Sequence, residues 1–470
     1  MLDTIVIGAG LAGLSAAWRL RHRDIAVLED SPRVGGRLRS ETRGDYVLNW
    51  GGHMFAGEGT ATDRLFAETG TSWTQIPGSL AGLSMNGRLL TRGPVPSYAF
   101  RVPMPLGARA ALLGAGARVS LDVLRYAWET RTRPGESAAV RQQRIYDFES
   151  RRTFQEYTGR LPEDADALFR PTVTRSAGDP DQISAGAGIG YFSLVWNIGA
   201  GLSRSILGGP STMTEAMAAG LGDKLRLGCS VQRVIRHADH VEVHYRDENG
   251  APRTETARTA VLATPAHVSH RLAENLAADA HEALGAIRYG SYVSAAFLTG
   301  ETEPQAWDGA YGIAAPKRSF SVLINQGSIQ RGAERSRRPG GSLMVFSPGS
   351  LADRLLERTD EEILEQYLED LEATLPGSAS LVEEAHVQRW HTGAPYSFPG
   401  RGRLQPALAS PQGRVFLAGD YMGSLYTESA IASGFAAAQK AASELATRRQ
   451  LAAGAARSDR PLDRLTQEMP

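Results

Sequence analysis

The turn after the first apolar run carries three glycines within six positions, and it constrains the fold more than any other feature of the chain. Residues 4–7 (Thr-Ile-Val-Ile) predict a short buried strand, and residues 11–20 predict a helix. Gly8, Gly10 and Gly13 match the pattern G-x-G-x-x-G. Such glycines allow a tight turn, close approach of the backbone to a pyrophosphate, and close packing of helix on strand. The pattern therefore predicts a strand–turn–helix unit whose helix N-terminus binds phosphate.

A carboxylate follows the next predicted strand. The apolar run Ile25–Leu28 ends at Glu29, about 20 residues after Gly10. At that spacing an acidic side chain reaches the ribose hydroxyls of an adenine dinucleotide. Each feature alone also occurs at ordinary turns and strand ends, but together they predict a Rossmann-type unit that binds a dinucleotide.

Composition excludes several classes of function. The 470 residues suffice for two or three core-bearing units, and a formal net charge of +0 gives no reason to expect a nucleic-acid partner. Because Cys229 is the single cysteine, an intrachain disulfide and a cysteine metal cluster are excluded, and we expect no metal site. No uncharged apolar segment reaches the roughly 18 residues that span a bilayer, and no leader precedes the first strand, so a cytoplasmic protein is expected.

Segments of two kinds alternate along the chain. Buried strands and glycine turns recur near residue 208 and again near residue 415, whereas residues 98–170 are helical and rich in arginine, with interleaved acids typical of a cap. We therefore expect two interleaved domains and a flexible polar tail. The predicted cofactor domain comprises residues 1–78, 204–274 and 390–450, the predicted substrate domain comprises 79–203 and 275–389, and the tail is 451–470.

Six separated motifs resemble those of the flavin-dependent amine oxidase superfamily, which includes monoamine oxidases, protoporphyrinogen oxidases and carotenoid-type desaturases. In chain order they are GAGLAG…LED from Gly8, RVGGR from Arg33, NWGGHMF from Asn49, GGPSTMTEAMA from Gly208, CSVQRV from Cys229 and VFLAGD…ESAIASGFAAA from Val415. The resemblance implies an α/β fold in which a Rossmann-type, GR2-like FAD-binding domain is interleaved with an α+β substrate-binding domain. It also implies FAD as the cofactor rather than NAD.

The resemblance assigns cofactor contacts to particular residues. Arg37 would contact the pyrophosphate, the main chain of Val231 the adenine, and Asp420 the ribityl hydroxyls. The N-terminus of the last helix, near Ala430 and Ile431, would face the flavin C2=O, where about half a positive charge stabilises the reduced ring. The full predicted cofactor set is Gly8, Gly10, Gly13, Glu29, Arg33, Gly36, Arg37, Gly52, Val231, Gly419, Asp420, Ala430 and Ile431.

Two departures from the family's pattern bear on the chemistry. Many amine oxidases of the superfamily hold a water against flavin N5 with a lysine on a strand, and in YGSYVSAAFL Ser294 takes that place. This favours the protoporphyrinogen-oxidase and desaturase side of the superfamily over simple amine oxidation. Members with covalent flavin carry a cysteine shortly after a tryptophan, and residues 389–400 contain none. We therefore expect noncovalent FAD.

Aromatic and polar residues near these motifs are the candidates for the substrate cavity. Tyr426 and, less directly, Tyr396 match the family's aromatic cage, while His53 or Glu58 could act on the substrate. For each of them, core packing, a backbone contact or a surface position is the alternative. The predicted catalytic residues are His53, Tyr426, Tyr396, Glu58 and Ser294, and the predicted substrate-binding residues are Tyr191, Phe192, Trp196 and Trp390.

The motifs together predict an FAD-dependent oxidase or dehydrogenase. A hydride would pass to flavin N5 from a carbon next to nitrogen or from a C–C bond being desaturated, and O₂ would reoxidise the flavin. The expected partners are a small-molecule substrate and O₂, with a homodimer left open. Two alternatives remain: a redox-neutral mutase or dehydroxylase, which the GGH motif at 51–53 suggests, and a non-catalytic FAD-binding protein.

Overall fold

The computed structural model describes residues 1–458 except 78, 79, 81, 94, 197, 199, 200, 334–337 and 425. The strands are β1 (Leu2–Ile7), β2 (Ile25–Leu28), β3 (Ser40–Arg43), β4 (Tyr46–Asn49), β5 (Phe55–Ala56), β6 (Trp73–Gln75), β7 (Gly82–Met85), β8 (Arg88–Leu90), β9 (Leu202–Ile206), β10 (Leu225–Arg226), β11 (Ser230–Arg236), β12 (Val241–Arg246), β13 (Pro252–Leu262), β14 (Tyr289–Thr299), β15 (Gly312–Ala314), β16 (Val322–Asn325), β17 (Gly341–Pro348), β18 (Val382–Pro395) and β19 (Val415–Leu417). The α-helices are α1 (Leu11–Leu20), α2 (Ala61–Thr69), α3 (Tyr98–Arg101), α4 (Leu106–Thr130), α5 (Ala138–Asp147), α6 (Phe154–Thr158), α7 (Glu163–Val173), α8 (Ala185–Val195), α9 (Pro210–Leu221), α10 (Ala266–Leu272), α11 (Ala278–Ala286), α12 (Gly327–Ala333), α13 (Ser350–Asp353), α14 (Asp360–Thr374), α15 (Gln405–Ala409) and α16 (Tyr426–Ser458). None of the helices in this described part has the length and apolar character needed to cross a bilayer.

The first sheet forms around the predicted strand–turn–helix unit. Its order is β10-β2-β1-β13-β12-β11, with β19 beside the C-terminal half of β13. The strands β10, β2, β1, β13 and β19 run parallel, whereas β11, β12 and β13 form an antiparallel meander. Because a parallel sheet is buried on both faces, alternate residues enter different cores. Val6 and Val27 pack with α1, α9 and α16, whereas Ile5 and Ala26 pack with α10 and α11.

The second sheet has the order β18-β14-β17-β16-β15-β7-β8 and is antiparallel except between β15 and β7. One face, with Val293, Ala295 and Val345, packs against α14 in an apolar core. The alternate residues of β14, Tyr292 and Ser294, point to the opposite face and line a cavity. The second sheet therefore separates this apolar core from the cavity.

Helices α4 to α8 pack around a core of their own. Val119 and Val123 of α4 meet Phe154, Phe169 and Ile189 in this core. The other side of α4 carries exposed large apolar residues, which we call the α4 stripe. The α4 stripe consists of Leu106, Leu113, Leu121, Leu124 and Trp128.

Two predicted domain boundaries fall inside strands. The boundary at 389/390 lies within β18, which continues to Pro395 as the edge of the second sheet, and the boundary at 203/204 lies within β9. The division into domains therefore stays a prediction. Of the predicted tail, residues 451–458 continue α16, and residues 459–470 lie outside the described residues.

The glycine turn explains the close packing of α1 on the first sheet. Gly8 has a φ of +97°, which favours glycine. A Cβ atom on Gly13 would lie 1.8 Å from the carbonyl oxygen of Gly8, so any side chain there would force α1 away from β1. A Cβ atom on Gly10, in contrast, would meet no heavy atom within 4 Å. Gly13 therefore serves packing, whereas Gly10 borders open space.

We expect Gly13→Ala to lower the free energy of unfolding of the ligand-free protein by about 1–3 kcal/mol or more, because the added methyl group meets backbone that cannot yield. Gly10→Ala is the matched control: it adds the same group to open space, and its effect should stay within roughly 0.5 kcal/mol. Urea unfolding of both variants measures the difference. Equal losses in the two variants would contradict the packing role of Gly13.

Candidate functional site

One cavity of about 580 Å³ runs between the glycine turn of the first sheet and the open face of the second. We call its two parts the turn end and the chamber. The turn end is lined by residues that include Gly8, Gly10, Glu29, Asp30, Gly36, Arg37, Val231, Arg271, Gly419, Asp420 and Ala430. The chamber is lined by residues that include Gly52, His53, Met54, Thr172, Arg175, Val195, Tyr292, Ser294, Val322, Ile324, Met344, Phe346, Trp390 and Tyr426.

The centre of the turn end is built from backbone. Gly10 begins α1 without a capping side chain, so the first N–H groups of the helix are open to a ligand. Gly36 closes against this turn, since a Cβ atom on it would lie 3.2 Å from Gly10 Cα. The N–H of Gly35 donates to the carbonyl of Ala9 at 2.9 Å and joins the two loops. Two glycine loops thus frame a space that fits a pyrophosphate.

Glu29 lies at the rim of the turn end, where β2 finishes. One carboxylate oxygen accepts the N–H of Ala9 at 2.5 Å, and the other accepts the N–H of Ser31 at 3.0 Å. Burial raises the pKa of Glu29 in spite of these hydrogen bonds. The side chain is therefore held at the place where a ribose-binding carboxylate is predicted.

The two arginines of the RVGGR motif act differently. Arg33 donates to three carbonyl oxygens of its own loop and does not line the cavity. Arg37 lines the cavity, with its Nη1 atom 2.9 Å from Oδ2 of Asp420 and 2.9 Å from the carbonyl oxygen of Gly393. Burial is the largest single influence and lowers the pKa of Arg37, but Asp420 together with Tyr289 and Tyr292 raises it by more, so the net pKa is raised. Arg33 therefore shapes the loop, while Arg37 brings a fixed charge to the cavity.

Ser294 lines the chamber with a hydroxyl that is bound to the protein. It donates to the carbonyl of Trp50 at 2.8 Å, and Nε1 of Trp390 donates to its oxygen at 3.2 Å. No lysine belongs to the described lining of the cavity. Lys317 lies at the surface, in an ion pair with Asp164 at 2.5 Å. Ser294 is thus a neutral and well-anchored side chain in the chamber wall.

Alternate residues of the second sheet form one wall of the chamber. Ser294 stands opposite Phe346, which stands opposite Val322 on the next strand, so the three side chains form a row across the sheet. Met344 and Ile324 form the next row. The chamber wall is therefore mainly apolar, which suits an organic substrate.

His53 reaches the chamber as a neutral imidazole. Its Nδ1 atom lies 3.1 Å from the carbonyl oxygen of Gly51, and its ring centre lies 6.1 Å from that of Tyr311. Burial lowers the pKa of His53 to about 4, and the charge of Arg175 acts in the same direction. At neutral pH His53 can therefore donate or accept a hydrogen bond but carries no charge.

Tyr426 is a strained residue at the start of α16. Its φ of +42° is uncommon for a residue with a side chain. Its ring stacks on Tyr191, with ring centres 6.2 Å apart and planes 24° apart. The buried hydroxyl of Tyr426 has no hydrogen-bond partner of normal geometry among the described residues. Strain and an unpaired hydroxyl at a cavity are typical of a functional position.

Sequence reasoning missed Arg175, which lines the chamber just after α7. The side-chain acceptor that its guanidinium contacts among the described residues is Sδ of Met54, at 3.8 Å. The hydroxyl of Tyr292 donates to the carbonyl of Arg175 and anchors its backbone to the second sheet. No sequence signal separates Arg175 from the surface arginines nearby, because tertiary packing alone turns it into the cavity.

Several predicted site residues lie outside the cavity lining. Glu58 is exposed on the loop between β5 and α2, so the structure does not bring it to the chamber. Gly13 and Ile431 pack inside the first-sheet core, and Arg33 supports its loop. Four aromatic residues lie in the core of α4 to α8 or pack against it, and they do not line the cavity: Tyr191, Phe192, Trp196 and Tyr396. Tyr191 comes nearest, because its ring supports Tyr426.

One group of candidate metal ligands lies away from the cavity. His237, His240 and Glu242 on the β11–β12 hairpin place one ligand atom each within 4.8 Å of one another. His237 is exposed, and none of the three belongs to the described lining of the cavity. The expectation that the chain uses no metal stays a prediction.

The turn end fits the ADP half of a dinucleotide. It combines an open cradle over Gly10, a carboxylate at Glu29 and a fixed cation at Arg37. Because the same cavity continues into the chamber, a ring system attached to that dinucleotide would meet the wall of the second sheet.

Comparison with known proteins places this geometry in a family. The family model described as flavin containing amine oxidoreductase matches residues 11–442. The coproporphyrinogen III oxidase of Mycobacterium tuberculosis (strain ATCC 25618 / H37Rv) is 25% identical over 441 residues, which cover 86% of this chain and 91% of the relative. Protoporphyrinogen oxidase 2 of Arabidopsis thaliana is 26% identical over 215 residues, which cover 45% of this chain and 39% of the relative.

Solved structures share the fold. The cyclohexylamine oxidase of Brevibacterium oxydans IH-35A superposes with a TM-score of 0.74 at 20% identity, covering 94% of this chain and 99% of that one. Wild-type putrescine oxidase bound to putrescine superposes with a TM-score of 0.73 at 19% identity, covering 93% and 98%. The predicted family, α/β fold class and cofactor are confirmed. The chain belongs to the flavin-containing amine oxidoreductase family and is an FAD-dependent oxidoreductase.

Proposed function

We propose that this enzyme removes a hydride from a C–H bond of a small molecule held in the chamber, with O₂ as the final electron acceptor. The continuity of the cavity carries the proposal, because the turn end opens directly into an apolar chamber. Bound FAD supplies the hydride acceptor, flavin N5. The chain itself holds the donor carbon in place and excludes water from the chamber.

Several residues of the turn end would hold FAD without a covalent bond, each at a different part of the cofactor. Gly10 and Gly36 leave room for the pyrophosphate, Glu29 accepts ribose hydroxyls, and Arg37, held by Asp420, places a positive charge nearby. The same proposal covers the other predicted residues of the lining, which are Gly8, Gly52, Val231, Gly419 and Ala430.

The chamber residues would orient the substrate rather than act as strong acids or bases. Hydride loss from a neutral amine or a ring carbon needs no charged base, and His53 is neutral at working pH. The unpaired hydroxyl of Tyr426 offers a hydrogen-bond donor to the substrate. Ser294 and Trp390 hold each other in place and keep the wall rigid.

Two observations favour oxidation of a larger ring or C–C system over oxidation of a simple amine. Ser294 is bound to main chain where many amine oxidases have a lysine. A relative that covers most of this chain is named a coproporphyrinogen III oxidase. Redox-neutral chemistry is not favoured, because the curated relatives described above are named as oxidases.

Anaerobic mixing tests the proposed reaction. The FAD-loaded enzyme is mixed without O₂ with a panel of porphyrinogens, amines and amino acids, and flavin absorbance is followed. At least one compound should bleach the flavin, and admitting O₂ should restore the colour and release hydrogen peroxide. Turnover of a substrate without any bleaching would contradict the proposal and point to redox-neutral chemistry.

We expect Glu29→Ala to weaken FAD binding by about tenfold to a hundredfold, because it removes a charge-assisted contact to the ribose. Tyr426→Phe is the control: it changes the chamber and leaves FAD binding nearly intact. Fluorescence titration of each apoprotein with FAD gives both dissociation constants. Unchanged FAD affinity in Glu29→Ala would contradict the ribose assignment.

We expect His53 to make stability depend on pH. Its pKa is about 4 in the folded chain, below the ordinary value of about 6.5, so between these values the unfolded chain takes the proton first. Stability is therefore lost as the pH falls through this window. In urea unfolding, His53→Gln should remove about 1–2 kcal/mol of the loss between about pH 7.5 and 5. The same loss in both proteins would show that His53 is not buried neutral.

We propose that the α4 stripe forms a homodimer contact. Leu121 and Trp128 expose 69% and 66% of their surface, which is unusual for large apolar residues grouped on one helix. We expect a dimer in sedimentation velocity, and Leu121→Arg should shift it toward monomer without loss of FAD. A monomeric parent protein would contradict the proposal, and binding to lipid vesicles would assign the stripe to a membrane surface instead.

A further inference from the structure

We infer that Arg175 binds a carboxylate group of the substrate, so that the enzyme oxidises an organic acid rather than a simple amine. The inference rests on the proposed function, because it names the substrate class of the same chamber. It depends on three observations: the state of the Arg175 guanidinium, the distribution of charge along the cavity, and the unpaired hydroxyl of Tyr426.

The guanidinium of Arg175 lies at the chamber without a carboxylate partner among the described residues. It contacts the thioether of Met54 at 3.8 Å, and a thioether is a weak acceptor. The side chain is half-buried rather than sealed from the cavity, so its N–H donors are available to a ligand there. The backbone of Arg175 is anchored by the hydroxyl of Tyr292, which fixes this part of the chain beside the cavity. An anion that enters the chamber would pair with this guanidinium.

Charge is distributed unevenly along the cavity. The acidic residues of its described lining are Glu29, Asp30 and Asp420, and all three lie at the turn end. Asp420 is already paired with Arg37, and Glu29 accepts two backbone N–H groups. The described lining of the chamber contains no acid that could hold an ammonium group. A cationic substrate would meet the lone charge of Arg175, whereas an anionic one would be attracted by it.

The hydroxyl of Tyr426 supplies a second donor in the same region. It is buried and meets no partner at normal hydrogen-bond geometry among the described residues; the neighbouring hydroxyl of Tyr191 already pairs with Ser176 at 2.7 Å. Arg175, Tyr292 and Tyr426 all line the chamber, so the guanidinium and the Tyr426 hydroxyl belong to the same cavity. A carboxylate has two oxygens and can accept from a guanidinium and a hydroxyl together. With apolar walls around these donors, the geometry points to an apolar carboxylic acid.

Three ring compounds of similar size test the inference: benzoate, benzamide and benzylamine. Each is titrated into the FAD-loaded enzyme, and the change in flavin absorbance gives a dissociation constant without turnover. We expect benzoate to bind at least about tenfold more tightly than the other two. Arg175→Met should weaken benzoate by about tenfold to a hundredfold and leave benzamide unchanged, while Arg175→Lys should retain part of the preference. The matched control is Arg170→Gln, a surface arginine of α7 paired with Asp166, which should change nothing.

Several results would overturn the inference. They are equal affinity of the parent enzyme for benzoate and benzamide, no benzoate binding, or unchanged benzoate affinity in Arg175→Met. Loss of FAD from a folded Arg175→Met protein would also overturn it, because Arg175 would then serve the cofactor. If Arg175→Met does not fold, the parent preference and the Arg175→Lys titration still decide. Because binding needs no turnover, a benzoate preference in an enzyme that no substrate reduces would refute only the proposed oxidation.

Discussion

The close contact between Gly13 and the carbonyl of Gly8 is the constraint on which the rest of the site depends. It lets α1 lie directly on β1, with its N-terminus open at the cavity. A second contact of the same kind follows, since a Cβ atom on Gly434 would lie 2.3 Å from the carbonyl oxygen of Ala12. Because α16 packs on α1 at this point, its first residue, Tyr426, reaches the chamber. The two glycines, Gly13 and Gly434, thus allow the close packing in the first-sheet core that positions both ends of the cavity.

The electrostatics of the cavity follow from which elements meet there. At the turn end, Arg37 is paired with Asp420 and Glu29 is bound by backbone N–H groups, so these charged side chains are held in place before a ligand enters. The chamber is bounded by the alternate face of an antiparallel sheet, which contributes apolar side chains. Arg175 comes from the end of a helix in a different layer, and it brings a charged side chain to a chamber whose wall is mainly apolar. The two ends therefore suit different chemistry within one continuous space.

Local pattern predicted the first sheet well and the chamber poorly. The helix predicted over 11–20 forms as α1, and the apolar run Ile25–Leu28 forms β2, because glycine turns and buried runs act over a few residues. Motif residues such as Gly10 and Glu29 reach the cavity for the same reason. Glu58 follows the NWGGHMF motif and Tyr396 resembles a residue of the aromatic cage, but the chain fold leaves Glu58 at the surface and packs Tyr396 in the core of α4 to α8.

Arg175 and Glu428 show what pattern could not supply. Arg175 becomes a chamber residue only where the end of α7 meets the second sheet. Glu428 lies within the ESAIASG motif, yet its carboxylate accepts the N–H groups of Ala61 and Thr62, each at 2.9 Å, and caps α2. It joins two helices that are hundreds of residues apart in the chain. Both roles depend on contacts between segments that are far apart in the chain. A short stretch of sequence therefore does not predict them.

A crystal structure of the protein saturated with FAD is the measurement that most directly tests whether one cavity serves both cofactor and substrate. We expect the pyrophosphate to lie over Gly10 and Gly36, and the flavin ring to extend to Ser294 and Tyr426. The guanidinium of Arg175 should remain beside the ring and free of the cofactor. A flavin ring that stays outside the chamber, or a phosphate bound to Arg175, would contradict the account.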